Sequence, residues 1–352
     1  MRRTLVMKLS IVVLLIVIMT ACGKTETPAD TKQSDQKTAE ALQVAFYVNG
    51  TLGDKGFHDS AQLGIDQAAA VLGIQTKTVQ GGSNPADWGP GLESLVSSGK
   101  YDVIVIGSSQ MSDIAKDLAG RYPEQKFIVF DEGIEGVPNI YSMTYSQREG
   151  SFLAGAFAAL VTTNTELKGT NPDKVIGFIG GMDIPIINDF KSGYEQGAHY
   201  IDPDVTIISS YIGDFKNSPK GKELALAQYN NQQVDIIYGV AGGAGLGVLE
   251  AGQSVGKYSI GVDLNQNGLY PGSVLTSMLK NVDKSIVLAL DQFTKGGLKF
   301  GSTQILGLKE NGVGLAMDQY YEQYVPKPIQ DKMKDIQGMI SSGKITVASD
   351  LK

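Results

Sequence analysis

The feature that most constrains the fold is a repeated alternation of short apolar runs with longer amphipathic stretches. The runs are rich in β-branched residues and almost continuously hydrophobic, as in parallel strands that are buried on both faces. Seven runs of this kind occupy residues 42–48, 102–107, 126–131, 174–181, 205–212, 235–243 and 258–263. Segments between them, such as residues 56–73 and 149–164, show helical spacing. The sequence therefore predicts an α/β fold with parallel sheets covered by helices.

The alternation restarts at Val175, after the loop at residues 168–173, so each half of the chain has its own set of strands. The length of 352 residues is about twice that of a usual domain of roughly 100 to 200 residues. Apolar residues make up 42% of the chain and charged residues 19%, a balance that excludes disorder and allows a substantial core. We therefore predict two doubly wound parallel-sheet lobes.

Residues 1–21 have the pattern of a signal peptide. Basic residues at positions 2, 3 and 8 precede an apolar run at residues 11–19, which is shorter than the roughly 20 residues needed to cross a bilayer. Cys22, the one cysteine of the chain, directly follows a Thr-Ala pair, a pattern that resembles a bacterial lipobox, in which the thiol is lipidated. Residues 22–41 are polar, contain a proline and lack periodicity, as in a flexible tether.

This arrangement predicts a protein that a lipid on Cys22 holds on the extracytoplasmic face of the cell membrane. Because ATP and NAD pools are not accessible there, we expect no cofactor. Capture of a small molecule from outside the cell is then the leading class of function.

Composition and motif context exclude several other classes. A formal charge of −7 lacks the basic patch that nucleic-acid binding requires, so we expect no nucleic-acid partner. Two histidines, His58 and His199, and a single cysteine are too few for a Cys/His zinc site or for Cys/His catalysis. A G-x-S-x-G match at residues 252–256 fails because Ser254 ends a predicted helix and both histidines precede it. We therefore expect neither a catalytic residue nor a metal site.

The candidate functional residues follow the predicted strands, because ligands of open α/β sheets bind beyond the carboxyl ends of the strands. Glycines at such positions are usually turn residues, so only the whole set is informative. The set comprises Asn49, Ser108, Asp131, residues 181–183, Phe215, Gly242, Gly243 and Asp263.

Asp131 and Asp263 each close an apolar strand, where a carboxylate is a helix N-cap, a ligand group, or one of a general acid and base pair as in glycosidases. Asp263 lies 20 residues beyond Gly243, the offset at which dinucleotide folds place an acid on a ribose. The glycine-rich turn is not G-x-G-x-x-G, so we interpret this spacing as a ribose site without NAD.

Two aromatic residues, Phe57 and Phe215, lie in polar, glycine-bearing loops of different lobes rather than on an apolar stripe. They either pack under a turn or hold a planar base between them by stacking. Lys280 follows an apolar run and is either a solvated strand end or a ligand contact, whereas Trp88 and Tyr211 are expected to pack in the core or at its rim.

Several blocks resemble, in order, the basic membrane protein family over roughly residues 44–315. The blocks are residues 53–61, 130–140, 149–160, 176–198, 211–225, 240–248, 260–266 and 274–283. The resemblance implies a substrate-binding lipoprotein of an ABC transporter with a type I periplasmic-binding-protein fold, two lobes joined by a hinge, acting as a monomer that closes on a nucleoside and delivers it to a permease. It also implies an N-terminal lobe of residues 42–146 and about 272–300, and a C-terminal lobe of residues 147–271 and about 301–352.

The resemblance further implies roles at matching positions. Members of this family hold a nucleoside between two phenylalanines, with one aspartate on the base, another on the ribose and a lysine nearby. The matching residues are Phe57 and Phe215, then Asp131, Asp263 and Lys280, with Gly242 and Gly243 as the glycine loop. The family's acid after the first strand is Asn49 here, and the Asn after its first phenylalanine is His58.

The resemblance thus implies a nucleoside, with a purine favoured. Both departures fall in the base-reading loop, so they bear on the purine and leave a different base open, whereas nucleoside binding does not depend on them. The residues leave open a secreted nucleoside hydrolase that uses Asp131 and Asp263, a ligand-sensing lipoprotein, and a binding protein for another small solute such as a sugar.

Overall fold

The computed structural model describes residues 41–349. The predicted signal peptide at 1–21, Cys22 and nearly all of the predicted tether at 22–41 lie outside the described residues. Between residues 41 and 349, no helix combines the length and the apolar character that crossing a membrane requires.

The described residues form two six-stranded sheets, and the seven predicted strands are divided between them. The first sheet comprises β1 (Gln43–Val48), β2 (Gln75–Gln80), β3 (Val103–Gly107), β4 (Lys126–Phe130), β5 (Ile140–Tyr145) and β11 (Thr303–Leu306). The second comprises β6 (Val175–Gly180), β7 (Thr206–Tyr211), β8 (Ile236–Val240), β9 (Tyr258–Asp263), β10 (Val274–Lys280) and β12 (Val313–Leu315).

The two sheets share one topology. The first has the order β11-β5-β4-β3-β1-β2 and is parallel throughout, and the second has the order β12-β10-β9-β8-β6-β7 with only β12 antiparallel. In each sheet the first five strands therefore run in the doubly wound order 2-1-3-4-5. The predicted α/β class with two doubly wound lobes is confirmed.

Helices cover both sheets. They are α1 (Phe57–Leu72), α2 (Trp88–Ser97), α3 (Ser112–Arg121), α4 (Gln147–Thr162), α5 (Pro185–Ile201), α6 (Ser218–Asn231), α7 (Gly245–Val255), α8 (Val282–Thr294), α9 (Gln319–Tyr324) and α10 (Lys327–Ser341). In α1 the buried positions Ala61, Ile65 and Ala68 recur at helical spacing, and the helix ends at Gly73 in the left-handed conformation. Glycines let α4 and α5 approach closely, since a Cβ at Gly155 would lie 1.9 Å from the Tyr194 carbonyl oxygen.

The pairing of β10 and β11 corrects the predicted division of the chain. β10 pairs with β9 in the second sheet, and β11 pairs with β5 in the first, so residues 274–280 do not belong to the N-terminal lobe and residues 303–306 do not belong to the C-terminal lobe. The reason is that β10 is the fifth strand of the doubly wound order in the second sheet, as β5 is in the first. The helix that follows β10, α8, packs against α1 of the first lobe.

Three crossings between the lobes result, and they lie side by side. The chain crosses between β5 and α4, between β10 and α8, and between β11 and β12. The Ser146 N–H donates to the Leu306 carbonyl at 2.9 Å, and the Asn281 N–H donates to the Gly312 carbonyl at 2.9 Å. The hinge is therefore a set of neighbouring strand ends tied by backbone hydrogen bonds.

Candidate ligand-binding cleft

A cleft of about 710 Å³ lies between the carboxyl edges of the two sheets, within the range of roughly 300 to 1,000 Å³ typical of small-molecule sites. Its walls come from both lobes. All eight candidate binding residues line it: Asn49, Phe57, Asp131, Phe215, Gly242, Gly243, Asp263 and Lys280. The doubly wound topology explains this convergence, because it brings the ends of parallel strands to one edge of each sheet.

Sharp backbone turns mark three strand ends in the cleft. Ser108 follows β3, Asp131 follows β4 and Asp263 ends β9, with φ angles of 82°, 64° and 66°. Left-handed backbone is uncommon for residues other than glycine and costs of the order of 1 to 3 kcal/mol. Three such residues around one cleft are typical of a binding site, where such strain concentrates.

The two predicted aromatic residues reach the cleft from opposite lobes. Phe57 is the first residue of α1, and its ring packs 5.3 Å from the Phe130 ring, centroid to centroid, at an interplanar angle of 44°. Phe215 lies in the loop between β7 and α6, where Gly181 makes room for its ring. A Cβ at Gly181 would lie 2.3 Å from Cδ1 of Phe215. Neither ring belongs only to the core of its own lobe.

Asp131 is paired across the cleft with Lys280. The Lys280 Nζ, at the end of β10 in the second lobe, donates to the Asp131 Oδ1 of the first lobe at 2.5 Å. Both side chains are buried, with residue exposures of 2% for Lys280 and 9% for Asp131. Burial raises the pKa of Asp131, and the ammonium of Lys280 opposes this rise. The charge partner of the Asp131 carboxyl group is therefore another residue of the protein.

Asp263 has no ion-pair partner among residues 41–349, although it is only 8% exposed. Burial raises the pKa of Asp263 to about 7. Lys280 and His58 lower this pKa, whereas the negative charges of Asp54 and Asp131 add to the rise. A carboxyl group of this kind changes between hydrogen-bond acceptor and donor near neutral pH and is available to a ligand.

The loop before α1 closes one side of the cleft and contains a residue that the sequence analysis missed. The Asp54 carboxylate accepts the backbone N–H groups of Gly56, His58 and Asp59, and it lies 3.3 Å from the His58 Nδ1. Burial acts to raise the pKa of Asp54, but the hydrogen bonds and the charge of His58 hold it below its usual value. In the sequence Asp54 is a turn residue before a helix, and nothing distinguishes it from an ordinary cap.

This loop also contacts the second lobe. The Gln266 Nε2 donates to the Lys55 carbonyl at 2.9 Å, and a Cβ on Gly56 would lie 3.4 Å from the Asp263 Oδ2. The two lobes are therefore in contact across one side of the cleft.

Phe190 is a second residue that the sequence did not reveal. It lies in α5, whose pattern is that of an ordinary amphipathic helix, yet it lines the cleft together with Ile184 and Ile187. Trp88 packs in the core as predicted, with its Nε1 donating to the Gly82 carbonyl at 2.9 Å, and also lines the cleft. The apolar wall could be found only from the fold.

Comparisons with known proteins show which family the chain is similar to. A family model described as ABC transporter substrate-binding protein, PnrA-like, matches residues 41–346. Basic membrane protein D of Borreliella burgdorferi is 32% identical over 326 residues, which cover 90% of this chain and 91% of that protein.

Two solved structures share the fold. An ABC transporter solute-binding protein from Aeropyrum pernix superposes with a TM-score of 0.79 at 27% identity, covering 88% of this chain and 94% of the other. A solute-binding protein from Agrobacterium vitis, solved with α-D-tagatopyranose bound, has a TM-score of 0.61 at 15% identity, covering 82% and 98%, and shows the shared fold alone.

Proposed function

The chain belongs to the PnrA-like family of ABC transporter substrate-binding proteins, and from this premise we propose that it captures a neutral nucleoside, with a purine favoured. The observation that carries the proposal is the content of one cleft. An aromatic ring from each lobe and a buried carboxyl group with no cation partner among the described residues line the same space. That combination suits a flat base joined to a sugar with free hydroxyl groups.

The proposed binding mode uses each of these groups for one part of the ligand. The base stacks between Phe57 and Phe215, where each ring contributes roughly 1 to 3 kcal/mol. The Asp263 carboxylate accepts hydrogen bonds from the two ribose hydroxyls. Gly242, with a φ of 53°, and Gly243 let the backbone approach the ligand closely.

The charges of the cleft favour neutral ligands over nucleotides. Four carboxyl groups line it, those of Asp54, Asp131, Asp214 and Asp263, against the two lysines at positions 216 and 280. A ligand phosphate would face this excess of acidic groups in a partly buried site, where charges are poorly screened. We therefore expect adenosine to bind more tightly than AMP.

Transport requires closure of the lobes and delivery to a membrane partner. In the proposed cycle the hinge strands bend, the lobes close on the nucleoside, and the closed form docks on an ABC transporter permease. A lipid on Cys22 holds the monomer at the extracytoplasmic face of the cell membrane. The role is binding rather than catalysis, because Asp131, one half of the candidate acid and base pair, is held by Lys280.

Isothermal titration of the purified protein tests the proposal. The ligands are adenosine, inosine, guanosine, uridine, ribose, tagatose and AMP, and native mass spectrometry first detects any ligand that co-purifies. We expect a Kd in the micromolar range or tighter for at least one nucleoside, about −8 kcal/mol or more favourable. Tighter binding of a free sugar than of every nucleoside would overturn the proposal, as would release of free base from inosine in molar excess over protein.

A further inference from the structure

The ammonium group of Lys280 is enclosed by more than its ion pair with Asp131. Its Nζ lies 4.9 Å from the ring centroid of Phe190, 5.5 Å from that of Tyr145 and 5.6 Å from that of Phe57. All three distances are within the roughly 6 Å at which a cation is attracted to an aromatic ring. We call the Asp131 carboxylate and these three rings the cation cage.

Both lobes build the cation cage, and its walls are held in place. Phe57, Asp131 and Tyr145 belong to the first lobe, whereas Phe190 and the occupying Lys280 belong to the second. The Tyr145 hydroxyl shares a 2.5 Å hydrogen bond with Ser285 Oγ, and Phe57 packs on Phe130. A carboxylate and several fixed rings around one point are the arrangement by which proteins bind organic ammonium ions.

We propose that the cation cage is an ammonium-binding site whose occupant is the chain's own Lys280, and that this tethered cation keeps positively charged ligand groups out of the part of the cleft beside the cage. The proposal deepens the proposed function by naming the excluded ligand class. It relies on that function only for the ligand being a nucleoside, since the cage is defined by residues of the chain alone.

The physical reason for exclusion is twofold. The cage is filled, and a ligand cation beside the buried Lys280 would meet a like charge that water screens poorly, since Lys280 is only 2% exposed. The carboxyl groups of Asp54, Asp214 and Asp263 act in the opposite direction elsewhere in the cleft, so the exclusion concerns the space beside the cage. When Lys280 is shortened to alanine, the Asp131 carboxylate and three rings are left around the space of three carbons and an ammonium group. n-Propylammonium has that size and charge.

The test titrates Lys280→Ala with n-propylammonium chloride and, as a neutral probe of nearly the same shape, with 1-propanol. Binding is followed by calorimetry and by the melting temperature. We expect n-propylammonium to bind Lys280→Ala with a millimolar Kd and to raise its melting temperature, with no effect of 1-propanol and no effect of either probe on the wild type. Equal responses to the two probes, or no response of the variant to the cation, would overturn the proposal.

The double variant Asp131→Asn with Lys280→Ala is the matched control, because it keeps the space and the rings but removes the charge. We expect it to bind n-propylammonium at least about tenfold more weakly than the single variant. If Lys280→Ala does not fold alone, it is refolded with each probe and followed by circular dichroism. Recovery with n-propylammonium and not with 1-propanol supports the cage, and failure with both overturns it.

A charged nucleoside links the cage to the ligand. We expect wild-type protein to bind guanosine at least about tenfold more tightly than the cation 7-methylguanosine at pH 6, and Lys280→Ala to narrow this ratio. An unchanged ratio would contradict exclusion by Lys280.

If the wild type binds no nucleoside but Lys280→Ala binds n-propylammonium, the proposed function fails and the cage remains. If the wild type binds nucleosides but Lys280→Ala does not bind n-propylammonium, the cage proposal fails and the proposed function remains.

Discussion

The two lobes repeat one topology, yet their equivalent strand ends have different electrostatic environments. Asp131 follows β4, the fourth strand of the first lobe, and Asp263 ends β9, the fourth strand of the second lobe, with φ angles of 64° and 66°. The neighbouring strand ends at Tyr145 in the first lobe and at Lys280 in the second. The two positions are therefore equivalent in topology, but the strand beside Asp263 ends in a cation and the strand beside Asp131 does not.

The direction in which that cation reaches decides the outcome. The ammonium of Lys280 pairs with Asp131 of the other lobe at 2.5 Å, so the first-lobe carboxylate is neutralised by the protein. Asp263, in the lobe that supplies the lysine, has no ion-pair partner among the described residues, and its pKa is raised to about 7. A repeated fold thus provides one carboxyl group that pairs with a cation of the other lobe and one that has no such partner and that we propose as a ligand group.

The largest expected effect on stability comes from removing the charge of Asp131, the carboxyl group that pairs with Lys280. Asp131→Asn leaves the buried Lys280 ammonium without its charge partner, and removal of one member of a buried ion pair costs about 3 to 5 kcal/mol. We expect the free energy of unfolding at pH 7.5 to fall by that amount in urea titrations. A loss below about 1 kcal/mol would show that the pair does not hold the lobes together.

The equivalent change in the second lobe is expected to have the opposite sign. Burial raises the pKa of Asp263 to about 7, so the folded protein is penalised for ionising it, by about 1.4 kcal/mol per pKa unit. The penalty is absent below the unfolded pKa near 4, grows as the pH rises and is complete above about 7. We expect the free energy of unfolding of Asp263→Asn, measured by urea titration, to exceed that of the wild type by up to about 4 kcal/mol at pH 8. At pH 4 we expect the two proteins to have similar free energies of unfolding. Under the proposed function we also expect Asp263→Asn to lose nucleoside binding, so that stability and binding change in opposite directions.

The aromatic pair tests whether the lobes contribute equally to the base. Phe57→Ala and Phe215→Ala should each weaken nucleoside binding by roughly 1 to 3 kcal/mol, because each removes one stacking face. The measurement is calorimetric titration with the tightest nucleoside found. Phe300→Ala is the matched control, since Phe300 is a half-buried ring of the first lobe that packs on Phe293 and does not line the cleft. Equal losses in all three variants would mean that the rings act through stability alone.

The sequence contained much of the fold and of the cleft. Six of the seven predicted strands are buried along most of their length because both faces of each sheet are covered, and their apolar runs are visible without a structure. The seventh, β7, is an edge strand that is only partly buried. β2 is a polar edge strand, Gln75–Gln80, and β11 and β12 have only four and three residues, so none of them has that signal. Asp131, Asp263 and the glycine loop were found because the fold class specifies where strand ends meet.

The partners within the cleft could not be read from the sequence. The pair of Lys280 with Asp131 depends on β10 joining the second sheet after the chain has crossed, a fact of topology that no local pattern carries. Phe190 lies on a helix whose apolar residues are indistinguishable from core residues. Resemblance supplied the candidate roles of these residues, whereas their electrostatic environment had to come from the geometry.

The smallest expected effect is a pH dependence that belongs to the second lobe alone. If the ionised form of Asp263 accepts the ribose hydroxyls, its protonation below a pKa of about 7 must compete with binding. Nucleoside affinity should therefore fall as the pH is lowered from 7.5 to 5.5, by at most about tenfold per unit below the pKa. Calorimetry in buffers of different ionisation enthalpy should also detect release of up to about one proton per ligand at pH 6.5.

A 2′,3′-dideoxynucleoside, which has no hydroxyl groups for Asp263, should bind weakly and without this pH dependence. Parallel profiles for the two ligands would show that the titrating group is not Asp263.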